Sequence, residues 1–115
     1  MNAFDEALLN AIDEILRYII GDYGAEIIYS YLERNDLTKN EIPNKLGKFS
    51  EELRKILGDG KGQILGSAPI IEEAIAERLC EKLGTKLEGR LPMAFSIFIG
   101  KLKEDYETKG NSLSR

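Results

Sequence analysis

A chain of 115 residues, 43% hydrophobic and 31% charged, has room for one domain and not for two. Folding at this size buries about two-thirds of the unfolded chain's surface, so one apolar core suffices without disulfides or a structural metal. With no histidine there is no Ser-His-Asp or Cys-His pair and no imidazole metal ligand, and a net charge of −4 gives no general pull toward nucleic acid or an anionic membrane.

The lone Cys80 excludes an internal disulfide and fits a reducing compartment. Asp5 and Glu6 stand where a secretion signal needs bases, and no apolar run approaches the roughly 18 residues of a membrane span. A soluble, cytoplasmic chain is expected. Its acidity is uneven: residues 1–35 hold seven acids and two bases, whereas 36–62 hold five and six.

The first helix is predicted over 3–20. Phe4, Leu8, Ile12, Ile15 and Ile19 recur at three- and four-residue spacing, Asn2 caps the start, and Gly21 stops the helix with a left-handed residue. Asp22 then caps a second helix to about Glu33, and so short a connection makes the two antiparallel neighbours. Thr38 and Glu41 have the spacing of a capping box, with Leu37 facing Ile42 as a hydrophobic staple. This opens a helical turn that Pro43 is expected to end at once. Ser50 is read as the cap of a helix over 51–57, stopped by Gly58.

Ser67 and Pro69 mark the start of a helix to about Leu83, ended by Gly84, with Ile71, Ile75, Leu79 and Leu83 as its stripe. Residues 85–91 form a linker. Pro92 is read as opening a last helix to about Thr108, in which Phe95, Phe98, Ile99, Leu102 and Tyr106 form the stripe. No segment sustains strand alternation. The expected fold is all-α, a compact bundle of about five helices in a single domain over 1–109, with 110–115 as a flexible tail.

Three patterns suggest chemistry. The glycine-rich stretch 58–67 has the composition of a phosphate cradle, yet Lys61 is followed by Gly62 and Leu65 stands where a dinucleotide motif needs glycine. A connector is the expected reading, with a generic anion site left at Ser67 and the following helix start. Glu73, Glu77 and Glu81 share a helical face, but dinuclear carboxylate sites also need histidine, so a solvated face neighbouring Arg78 and Lys82 is expected. Cys80 lies among Leu79 and Leu83 beside Glu81, which raises a thiol's pKa and suits a buried structural residue. No cofactor or metal is expected.

Residues 37–57 resemble the helix-turn-helix of archaeal winged-helix regulators, with Leu37, Ile42, Leu46, Leu53 and Leu57 as its core. Lys39, Lys45, Lys48, Arg54 and Lys55 are then the DNA-contacting candidates. Pro43 interrupts that motif, and Glu51 and Glu52 occupy the start of its recognition helix, where carboxylates would face phosphates. Nucleic acid is therefore the disfavoured alternative.

A wider resemblance rests on Glu41-Ile42-Pro43, Phe49-Ser50-Glu51-Glu52-Leu53, Ile56-Leu57-Gly58-Asp59-Gly60, Ile70-Ile71-Glu72 and Leu79-Cys80-Glu81-Lys82-Leu83-Gly84. Over about 8–88 the chain is similar to the Nitrosopumilus output domain family, a small archaeal all-helical module of unassigned biochemistry. Residues 61–67 look like an insertion relative to it, and the helix 92–108 lies beyond it. The resemblance implies an archaeal signalling-output module and supplies no functional residues. Read together with the composition, it gives a non-enzymatic protein-interaction module. The first half of the last helix is apolar nearly all round, which suggests a homodimer or protein partner seated on Met93, Phe95, Ile97, Phe98 and Ile99.

Overall fold

A computed structural model describes residues 2–59 and 67–113, with side chains as far as 109. The described backbone is all-helical: α1 (Ala3–Arg34), a 3₁₀ turn (Lys39–Asn44), α2 (Leu46–Leu57), α3 (Ala68–Lys82) and α4 (Phe95–Leu113). The radius of gyration is 14.0 Å, close to the ~13 Å of a compact chain of this length.

α1 is not one rod. Gly21 has φ 81° and ψ 168°, a region open essentially to glycine, and it divides the helix into limbs 3–20 and 22–34, written α1a and α1b. In a straight helix residues 13 and 29 would lie about 24 Å apart. Here the Tyr29 hydroxyl donates to Asp13 Oδ1 at 2.9 Å, so the limbs fold back on each other as a hairpin. Asn2 Oδ1 accepts from the Asp5 N–H at 2.8 Å, the cap expected from sequence.

The core runs along one face of that hairpin. Phe4, Leu8, Ile12 and Leu16 of α1a, with Ile28 and Leu32 of α1b, are buried together with Ile71, Ile75 and Leu79 of α3. Leu37 and Ile42 close the end beside the 3₁₀ turn, and Phe49 and Leu53 of α2 with Phe95 and Ile99 of α4 complete it. α3 packs chiefly on α1, whereas α2 lies against α3, α4 and the 3₁₀ turn.

Three boundaries differ from expectation. Pro43 does not end the turn at once: the 3₁₀ run continues through it to Asn44, since proline's fixed φ suits this tighter helix and costs one hydrogen bond. α2 starts at Leu46, not after Ser50, with the Phe49 N–H bonded to the Lys45 carbonyl at 3.0 Å. α4 starts at Phe95, three residues after Pro92, and its backbone stays helical to Leu113, because nothing in 107–109 breaks it. The expected tail 110–115 is thus helical over its first four residues, and 114–115 lie outside the described residues.

Candidate functional site

The residues with chemical capacity are gathered into ties between elements. Asp13 is the hub of the hairpin. It accepts from Arg17 Nε at 3.0 and 3.1 Å and from the Tyr29 hydroxyl, and Lys39 Nζ lies 3.5 Å away while standing 4.5 Å over the Tyr29 ring. Burial alone would raise the Asp13 pKa, but the Arg17 and Tyr29 hydrogen bonds and the Lys39 charge outweigh it and hold the carboxyl low. Arg17 also reaches Asp22 at 3.3 Å and Glu26 at 2.5 Å, clamping both limbs at the bend. Burial, and then Asp13, push the Tyr29 phenol above its ordinary value, so it stays a donor.

Glu14 joins α1a to α3. Lys82 at 2.6 Å and Arg78 at 2.7 Å both bond its carboxylate and lower its pKa. These two cations therefore serve Glu14 first, and of the acids on their own helix only Glu81 comes within 3.8 Å of Arg78. Glu77 and Glu81 line a shallow cleft of about 490 Å³ with Thr85, Lys86 and Leu87. Among the described residues no cluster of carboxylates, cysteine or histidine is arranged to hold a metal ion.

α2 is tied by carboxylates drawn out of water. Glu72 of α3 is buried and receives the Ser50 hydroxyl and Arg54, the latter at 2.9 Å. Glu52 of α2 is also buried and accepts from the Tyr31 hydroxyl at 2.9 Å and Lys55 at 3.3 Å, which keep its pKa low against the cost of burial. Sequence reasoning assigned Ser50 to a cap and named Glu72 within the motif Ile70-Ile71-Glu72. Their partnership, 22 residues apart, has no local signature.

The sequence candidates separate under this geometry. All five proposed DNA-contacting cations have partners within the chain: Lys39 with Asp13, Lys45 with Glu41 at 3.0 Å, Lys48 with the Asp36 carbonyl at 3.4 Å, Arg54 with Glu72, and Lys55 with Glu51 and Glu52. Of the proposed interface, Phe95 and Ile99 are buried in the chain's own core, so their apolar surface is already used. Met93 and Phe98 are half-buried, and Ile97 alone points outward, 53% exposed. The most exposed aromatics stand elsewhere, Tyr18 (87%) on α1a and Tyr23 (82%) on α1b, where Ile27 continues the outward face of Tyr23 one turn on.

Cys80 is buried and its thiol pKa is raised, as the sequence led one to expect, but the acid that adds to burial is Glu77 and not the expected Glu81. The start of α3 has few donors left for an anion: the Ala68 N–H bonds the Gly58 carbonyl at 3.1 Å and Pro69 has no N–H. Ser67 Oγ is buried with no hydrogen bond among the described residues. Most of the glycine-rich stretch, 60–66, lies outside the described residues. No helix among those described is long and apolar enough to cross a membrane. Comparison with protein-family models, curated proteins and solved structures returned no match.

Proposed function

We propose that the chain is a non-enzymatic helical interaction module. The observation that carries this reading is the contrast between its polar groups and its aromatics. The charged side chains of the helix seams are engaged with one another, while Tyr18 and Tyr23 stand almost fully in solvent on the hairpin. Tyrosine is among the residue types that protein interfaces favour as anchors, because it supplies area at low entropic cost. The resemblance to the Nitrosopumilus output domain, a module thought to pass on a signal, points the same way. A homodimer is the simplest partner, and Ile97, the most exposed large apolar residue of the last helix among the described side chains, is the one to join it.

The test is the light-scattering mass of the chain at micromolar concentration, with Tyr23→Ser and Ile97→Asp measured in parallel. A mass of two chains, reduced to one by either variant, supports the homodimer and names its face. A mass of one chain for the unsubstituted protein removes the homodimer. The wider reading then rests on a photo-crosslinker placed at Tyr18 and Tyr23. It fails if these positions trap no more protein than the same group at exposed Glu6.

A further inference from the structure

We infer that α2 is a strap, opening as one unit while the α1–α3 body stays folded. Its interior face is mixed: Phe49 and Leu53 are fully buried and Leu46, Ile56 and Leu57 pack half-buried against the core, but the third buried residue is the carboxylate Glu52. On the facing helix its docking also buries Glu72. Taking a carboxylate out of water costs most of what its partners return, so such ties specify how α2 sits more than they hold it there. When α2 lifts, Glu72 and Glu52 regain water, and that gain offsets part of the loss of Phe49 and Leu53. Separation of α1 from α3 brings no comparable return: apart from Asp5, whose partner is Lys103 of α4, and Glu72, whose partners are on α2, the residues buried on those helices are apolar.

The ends of α2 suit such a motion. Lys45, at its start, makes no side-chain cap. Gly58, at its end, has φ +89°, and its carbonyl accepts from the Ala68 N–H, which pins the pivot to the start of α3. The Phe49 ring, 6.2 Å from that of Phe95, would leave α4 with it, so opening uncovers the Phe95 side of the core.

Hydrogen exchange on the full chain at neutral pH, with and without low denaturant, tests this. Central amides of 50–56 are expected to share one opening about tenfold or more faster than those of 8–16 and 71–79, with its own denaturant dependence. Leu53→Ala is expected to speed exchange in 50–56 by about tenfold or more again and leave 8–16 unchanged. Equal protection in α2 and α3, or protection in α2 graded inward from its ends, would overturn the inference. So would a Leu53→Ala variant that moves both regions together or neither. The wild-type comparison decides even where that variant does not fold.

Discussion

The seam between α1a and α3 and the docking of α2 use the same residue types in opposite places. At the first, aliphatic side chains fill the interior and the charges sit on the rim, where Glu14 meets Arg78 and Lys82 with its side chain 40% exposed. At the second, Glu52 and Glu72 lie inside, with side chains 7% and 3% exposed. A rim pair keeps most of its hydration and adds little stability, but it costs little too. An interior carboxylate gives up its hydration and adds selectivity of position in return. One interface is therefore strong and tolerant of charge changes, the other weaker and dependent on particular partners.

The largest effect should come from the strong seam. Ile12→Ala, at a fully buried position, is expected to lower the unfolding free energy by about 2–5 kcal/mol in chemical denaturation. Leu53→Ala removes as much side chain from an equally buried site. Its global cost should nevertheless be smaller, because once α2 is open the missing atoms no longer matter, and the loss is capped by the free energy of that opening. Equal losses for the two would erase the distinction between the interfaces. Gly21→Ala should cost about 1–3 kcal/mol from backbone strain alone, as no atom lies within 4 Å of the added carbon. Tyr29→Phe should cost about 1 kcal/mol through the lost hydrogen bond to Asp13, without altering exchange in α2. A loss of both regions' protection in that variant would mean the hairpin seam and the strap are one cooperative unit.

Much of the strong seam was legible in the sequence, and little of the weak one. The spacing of Phe4, Leu8 and Ile12, the stop at Gly21 and the stripe Ile71, Ile75, Leu79 all rest on local periodicity, which a helix expresses directly in its neighbours. Ser50 misled for the same reason. A serine before two glutamates looks like a cap, and only the arrival of Glu72 across the interface explains why it lies inside a helix. The apolar surplus of α4 divides: Phe95 and Ile99 go to the chain's own core, and Ile97 stays outward. Periodicity shows which residues share a face, not how many faces the rest of the chain covers, and here α2 and α3 already cover Phe95 and Ile99. Tyr18 and Tyr23 carried no pattern at all, since an isolated exposed aromatic is defined only by what fails to pack on it.

The smallest expected effect is an acid one, and it bears on the 3₁₀ turn that sits between the two interfaces. The Thr38 N–H at 2.9 Å and its hydroxyl at 2.8 Å both donate to Glu41 Oε1, and Lys45 bonds the other oxygen. The Thr38 backbone bond, then its side chain and Lys45, pull the carboxyl from 4.5 down to about 2. A folded pKa below the unfolded one means that the stabilisation is fully present above about 4.5 and is lost as pH falls toward 2. Replacement by glutamine keeps an acceptor but abolishes the titration. Glu41→Gln should therefore lower stability slightly at neutral pH and flatten the fall between pH 4.5 and 2, measured as denaturation midpoints across that window. An unchanged acid slope would place the sensitivity elsewhere, at Asp13 or Glu14, whose carboxyls are also held low and which bind the hairpin and α3. The double variant Glu41→Gln with Glu14→Gln then separates the turn from the strong seam. If only the double variant flattens the slope, acid acts on the α1a–α3 rim, and the turn that leads into α2 holds its shape without its charge.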